Sequence, residues 1–282
     1  MNTGTARIAA RFAALKQEGR AGLGAYVMAS DPDWDIALKI VKALPAAGAD
    51  FIELGFPFTD PMADGPSVQR AGERALKAGG SLRRTLDLCA EFRKGDGETP
   101  VILMGYSNPV ERLGHASFAK AAHKAGADGA IVVDAPPEED ASLRGALAGE
   151  GLSLIRFATP TTDESRLRSI LEGVSGFLYY VSFTGVTGAK AIVSDSASAA
   201  VARIKRHTDL PVAVGFGVRE PAQAAAIARI ADAVVVGSAF CDAVGDCVAK
   251  GRPQDAPAAV AERVRSLSAA VRTARLPEGA RA

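Results

Sequence analysis

Short apolar runs bounded by turn residues recur along the chain, and segments with apolar positions at helical spacing lie between them. The runs are Gly22–Ala29, Phe51–Gly55, Pro100–Tyr106, Gly129–Asp134, Ser153–Ala158, Gly176–Ser182, Pro211–Phe216 and Ala233–Ser238. They lack the inward–outward alternation of half-exposed strands, as expected of parallel strands covered by helices. Helical spacing is evident over Ile36–Ala47, Leu82–Lys94, Phe118–Ala125, Ser198–His207 and Pro221–Ile230. Eight runs alternating with helices predict an α/β protein of the (β/α)8 TIM-barrel type. A doubly wound sheet is the alternative, but the GxGxxG that a Rossmann-type protein places after an early strand is missing.

A weak repeat supports the barrel. Ala47-Gly48-Ala49-Asp50 and Ala125-Gly126-Ala127-Asp128 each precede a run, and Ile230-Ala231-Asp232 precedes the last. In each case a helix ends, Gly where present can cap it, and an Asp leads into a β run. Two additions to the plain barrel are expected. Ala6–Glu18, with Ile8, Phe12 and Leu15 at helical spacing, predicts an amphipathic N-terminal helix. The interval between the second and third runs, the longest of the series, leaves room for an extra helix at Ser67–Ala78. Asp255–Arg275 reads as a closing helix and Pro277–Ala282 as a frayed tail. No domain boundary is evident, so residues 1–282 read as one barrel domain.

Composition narrows the partners. Of 282 residues, 33 are basic and 32 acidic, a net charge of +1 that argues against nucleic-acid or polyanion binding. Hydrophobic residues make up 48%, ample for one large core, yet no apolar run approaches a membrane span of ~18 residues. The three cysteines, Cys89, Cys241 and Cys247, form neither a disulfide framework nor a zinc spacing. The expectation is a soluble, cytoplasmic protein.

Candidate chemistry concentrates after the second run. Glu53 interrupts Phe51–Leu54, and Gly55 and Pro57 then end the strand, which puts the carboxylate at its carboxyl end. A charge in a strand buried on both faces is costly unless it faces a polar site, and barrel active sites lie at that mouth. A structural ion pair is the plainer explanation for it. Asp60 and Asp64 follow in a loop restrained by Pro61 and Gly65-Pro66. Either could be a turn or helix-capping residue. Two carboxylates in differing environments could instead divide acid and base roles.

Glycines mark the late loops: Gly185-Val186-Thr187-Gly188, Gly215-Phe216-Gly217 and Gly237-Ser238. Backbone N–H groups there could hold a phosphate, as barrels often do after their last two strands. Phe183 to about Ser196 reads as a lid or as a disordered loop. Of Tyr179 and Tyr180, one must face the barrel interior and the other the helices. His115, His123 and His207 are scattered on helical segments without a ligand partner at i+4, so no metal site is expected. Trp34 reads as a packing residue, Asn108-Pro109 as a turn, and Asp134 as a mouth carboxylate that orients loops.

Together these residues resemble the tryptophan synthase α subunits. That family's signature, of the form ELGxPFSDPxADGPxIQ, appears here from Glu53 to Gln69. Asp31-Pro32, Asp134-Ala135-Pro136-Pro137 and the later GVTG, GFG and GS elements stand in the family's order. The resemblance covers nearly the whole chain. It implies a (β/α)8 barrel that cleaves indole-3-glycerol phosphate into indole and glyceraldehyde 3-phosphate. It also implies a pyridoxal-phosphate β subunit that receives the indole, in an α2β2 tetramer, with no cofactor in this chain. Glu53 and Asp64 fall on the family's catalytic residues, Tyr26 and Tyr179 on pocket aromatics, and Gly188, Gly217, Gly237 and Ser238 on phosphate-binding loops. Three departures stand out: Thr59 replaces the usual Ser, Met28-Ala29-Ser30 replaces Thr-Ala-Gly, and Phe183-Thr184 lies where the family varies. The rival readings are a lyase efficient without a partner, an activating subunit that has lost cleavage, and another phosphosugar barrel enzyme.

Overall fold

The computed structural model of the chain describes residues 4–181, 195–215 and 217–277. The elements run α1 (Thr5–Gln17), β1 (Gly22–Met28), α2 (Trp34–Ala47), β2 (Phe51–Gly55), α3 (Pro66–Lys77), α4 (Leu82–Arg93) and β3 (Val101–Gly105). Next come α5 (Ser107–Leu113), α6 (His115–Ala125), β4 (Gly129–Val132), α7 (Ala141–Gly149), β5 (Ser153–Leu154), β6 (Phe157–Ala158) and α8 (Glu164–Leu171). The chain ends with β7 (Leu178–Val181), α9 (Asp195–Lys205), β8 (Val212–Gly215), α10 (Pro221–Ala228), β9 (Ala233–Val236), α11 (Ser238–Ala249) and α12 (Ala256–Thr273).

The strands form one parallel sheet in the order β5-β4-β3-β2-β1-β9-β8-β7-β6. Its two outermost members are halves of a single run. On one side the Ser153 N–H donates to the Asp128 carbonyl (2.9 Å) and Ile155 to Ala130 (3.0 Å); on the other, Tyr179 donates to the Arg156 carbonyl (3.0 Å). Ser153–Ala158 therefore closes the ring, and the fold is the expected (β/α)8 barrel with its fifth strand in two short pieces. Arg156, at the break, is buried but bonded to both oxygens of Asp140 (2.6 and 2.7 Å) and to the carbonyls of Ser169, Ile170 and Glu172. Pairing of this kind is what allows a buried guanidinium.

Alternate residues of each strand face opposite ways. Leu23, Ala25, Ile52, Leu54, Val101, Leu103, Val212, Val214, Val234 and Val236 pack outward against the helices. Phe51, Ile102, Ile131, Ile155, Phe177, Tyr179, Ala213 and Val235 fill the barrel interior. The predicted N-terminal helix, α1, joins that interior cluster through Ile8, Phe12 and Leu15. Phe12 meets Phe51 and Phe177 at ring-centroid distances of 5.9 and 5.6 Å, so α1 plugs the barrel at the amino ends of its strands.

The sequence repeat has a structural cause at the same end. Asp50, Asp128 and Asp232 accept hydrogen bonds from the N–H groups of Leu23, Val101 and Val212, each at the start of a nearby strand (2.8, 2.7 and 2.8 Å). Each also meets a cation: Arg20, Arg93 and Lys205 respectively. The Asp thus secures a strand-start donor that the sheet leaves open. Gly48 and Gly126, which precede the first two of these aspartates, end α2 and α6 in the left-handed conformation (φ 107° and 80°).

The extra helix after the second strand is α3. One expectation needs correcting: Asn108-Pro109 lies in the first turn of α5, not in a turn. A helix's first turn has no use for the N–H that proline lacks, so the residue is compatible there. Asp134 accepts the Ser107 N–H at the start of this helix (2.7 Å), the orienting role expected of it. Trp34 is half-buried against the core, with the Arg84 guanidinium 4.9 Å from its ring. His115 bonds Glu111 and Ser142, His123 bonds the Glu150 carbonyl, and His207 lies 3.8 Å from Glu164. Among the described residues no group of three potential metal ligands converges, and no helix is long and apolar enough to cross a membrane. The expected frayed tail, Pro277–Ala282, falls almost wholly outside the described residues.

Candidate active site

Glu53 follows Phe51 by two positions, so it too points into the barrel, one level nearer the carboxyl ends of the strands. It is 1% exposed, and its Oε1 has no hydrogen-bond partner among the described residues. The structural ion pair that the sequence allowed is not made with any described residue. Burial alone pushes the Glu53 carboxyl up to about 8, so it carries a proton near neutral pH. A buried polar atom without a partner is costly and rare, and such exceptions cluster at working sites.

Tyr26 stands beside Glu53 in the β1–β2 register. Burial raises its hydroxyl pKa far above the usual value, and the charges of Asp64, Cys241 and Glu53 raise it further. Both carboxylates therefore lie within electrostatic reach of one tyrosine. Tyr179, in β7, also faces inward; burial and then Glu53 raise its hydroxyl pKa, while Tyr180 joins the outer core. Both inner tyrosines occupy space left by glycine. A Cβ on Gly55 would lie 2.4 Å from the Tyr26 hydroxyl, and one on Gly215 would lie 2.3 Å from that of Tyr179.

The loop carrying Asp64 is held from several sides. The Ala63 N–H donates to the Tyr106 hydroxyl (3.0 Å), and Gln69 Nε2 donates to the Asp64 carbonyl (2.9 Å). Phe58 stacks on Tyr106 with ring centroids 5.5 Å apart. The N-cap of α3 is Gly65, so Asp64 is not the capping residue. Burial raises the Asp64 carboxyl to about 6, against the opposing effect of a hydrogen bond with Tyr106. Asp60, in contrast, is exposed and bonded by the Thr59 hydroxyl, a local turn contact. Asp64, Tyr26, Met28, Phe56, Phe58 and Tyr106 are among the residues that line one small pocket, with mostly apolar walls.

At the same mouth, Gly217 follows β8 with φ 71°, and Gly237, against the Tyr26 ring, precedes Ser238, the first residue of α11. The open N–H groups of that helix start face the carboxyl end of the barrel, a position suited to an anion. Gly188 and the whole of the expected Phe183 to Ser196 lid lie outside the described side chains. Sequence reasoning missed Tyr106, which it treated only as the end of a strand, and assigned no role to Gln69. The clue for Tyr106 was available, since it ends the third run at the mouth that located Glu53.

Fold and site define the class: a barrel enzyme with two buried or half-buried carboxylates of raised pKa beside an apolar pocket, equipped for proton transfer. The family model for the tryptophan synthase alpha chain matches residues 12–272. The tryptophan synthase alpha chain of Caulobacter sp. (strain K31) is 56% identical over 270 residues, covering 96% of this chain and 98% of that one. The alpha chain of Caulobacter vibrioides (strain NA1000 / CB15N) is 58% identical over 238 residues, 84% of this chain and 86% of that one. The solved tryptophan synthase subunit alpha from Legionella pneumophila str. Paris superposes with a TM-score of 0.87 at 38% identity, covering 94% and 98% of the two chains. The chain belongs to the tryptophan synthase alpha chain family. Its activity is the α reaction of that family, a carbon–carbon lyase step that cleaves indole-3-glycerol phosphate to indole and glyceraldehyde 3-phosphate. Membership also implies a β subunit partner.

Proposed function

We propose that Glu53 and Asp64 divide the chemistry of this cleavage. Breaking the bond between indole C3 and the glycerol side chain is a retro-aldol step. It needs a proton on C3, removal of the proton from the side-chain hydroxyl next to C3, and stabilisation of the cationic ring nitrogen formed in between. Protonated Glu53 donates to C3. The ring N–H⁺ that results is held by the Asp64 carboxylate. The Glu53 carboxylate then takes the hydroxyl proton; the C–C bond breaks, its electron pair returns to the ring, and indole and aldehyde leave with Glu53 protonated again. The observation that carries this reading is the buried Glu53, whose Oε1 has no partner among the described residues and whose carboxyl is pushed up to about 8. A group near neutral in pKa can both give and take a proton at working pH.

Tyr26 and Tyr179 wall the indole pocket. Gly217, Gly237 and Ser238, with Gly188, hold the phosphate, whose binding energy fixes the geometry of a bond remote from it. The N-terminus of α11 supports this, since its open N–H groups suit an anion. The chain itself uses no cofactor. It works in the cytoplasm in an α2β2 assembly, and indole passes to a β subunit that carries pyridoxal phosphate. The test is indole release from indole-3-glycerol phosphate by the purified chain, alone and with a tryptophan synthase β subunit. Slow release alone and a large rise with partner are expected. Fast release alone would replace the reading with a self-sufficient lyase, and no release from the folded chain would refute the cleavage roles.

A further inference from the structure

Beside the pocket, three segments meet in one polar cluster. Asp242, in the second turn of α11, accepts from the Ser67 hydroxyl (2.9 Å), from Arg219 Nη1 (2.6 Å) and from Arg70 Nη2 (3.2 Å). Arg219 Nη2 also donates to Ser67 Oγ (3.1 Å). Ser67 is buried, 4% exposed, in the first turn of α3 and three residues beyond Asp64. Arg219 lies two residues beyond Gly217, and Asp242 four beyond Ser238. The cluster therefore joins the Asp64 loop to both described segments of the phosphate end. Burial would raise the Asp242 carboxyl, but the bonds from Arg219, Ser67 and Arg70 outweigh it and hold it low, so it stays ionised.

The far end of α3 is fixed separately. Arg74 makes two bonds to Asp31 (2.7 and 2.8 Å) and one to the Cys241 carbonyl (3.2 Å). Helix α3 is thus attached to α11 at both ends. At the end next to Asp64, the bonds of Ser67 and Arg70 to Asp242 are side-chain links to α11, and Arg219 extends them to the loop after β8.

We propose that Asp242 is a positioning residue for the cleavage, holding the Asp64 loop in register with the phosphate-binding end through Ser67 and Arg219. A phosphate that settles against Gly217 and the start of α11 then also fixes the distance from that anchor to Asp64. This rests on the roles proposed above for Asp64 and the phosphate loops. The bridge is built from charge-assisted bonds, which resist small displacements better than neutral ones. Displacements near 1 Å at a reacting group cost up to ~10² in rate.

The test is a double-mutant cycle on the full chain assayed with its β subunit, using Asp242→Ala and Asp64→Asn. Asp242→Ala is expected to lower kcat about tenfold with a smaller change in KM. In the Asp64→Asn background it should lower kcat no further, because the group it positions is already gone. Asp242→Asn, which can still accept from Ser67, should recover part of the loss. Arg219→Ala, at a half-exposed position, breaks the same bridge and serves as second probe if Asp242→Ala does not fold. Additive losses in the cycle would overturn the proposal, as would wild-type kcat in both Asp242→Ala and Arg219→Ala. If Asp64→Asn alone keeps full turnover, the proposed role of Asp64 fails as well, and that outcome is read separately from the cycle.

Discussion

Replacing Glu53 by Gln should make the protein more stable while disabling it, and the gain should depend on pH. The folded carboxyl sits at about 8 against an ordinary value of 4.5, with burial as the cause. Between those two values the folded state holds a proton that the unfolded chain has released. Folding therefore takes up a proton there, and stability falls as pH rises through that window. Each pH unit corresponds to about 1.4 kcal/mol, so by pH 7 the wild type has lost about 3 kcal/mol relative to pH 4.5. Gln is of the same shape, is neutral in both states and shows no such slope. The variant should unfold nearly with the wild type around pH 5 and about 6–12 °C higher at pH 7, at roughly 2–4 °C per kcal/mol. Thermal unfolding followed by circular dichroism from pH 5 to 8 gives the difference directly, and indole release should drop by at least ~10². A stability difference that stays flat with pH, or a variant less stable than wild type at pH 7, would refute the assignment of a raised pKa to the buried Glu53.

Asp64→Asn should also cut indole release by at least ~10², while Asp60→Asn, an exposed turn contact, should do less. With Asp64 raised to about 6 by burial, kcat/KM should climb as pH rises through 6 and the carboxylate ionises; that limb should vanish in Asp64→Asn. Ser30 holds φ 65° and its hydroxyl is buried without a partner among the described residues. Ser30→Gly should therefore stabilise by about 1 kcal/mol, read as a rise in Tm, once the loss of strain is set against the greater freedom of unfolded glycine. Gly55→Ala puts a methyl 2.4 Å from the Tyr26 hydroxyl. It should push the ring into the pocket and raise KM severalfold in a folded protein, and an unchanged KM would show that Tyr26 does not wall the substrate site.

The β runs, the helix spacing and the strand-end position of Glu53 were legible in the sequence because they depend on local pattern. Period and turn chemistry fix which residues are strands, and two-residue alternation then fixes which face the barrel interior. The Glu53–Gln69 motif added the family, and with it the reaction. Even the Ala-Gly-Ala-Asp repeat was visible, although its reason was not: Asp50 and Asp128 each serve an N–H on another strand. Tertiary structure alone decided what depends on contacts between distant segments. It left Glu53 Oε1 without a partner among the described residues, brought Asp64 and Tyr106 together, and made Ser153–Ala158 close the ring through pairings on both sides. It also joined Ser67, Arg219 and Asp242, which lie up to 175 residues apart. A pKa is set by what surrounds a group rather than by its neighbours in sequence. The carboxylates could therefore be named from the chain, but their protonation states follow only from the folded protein.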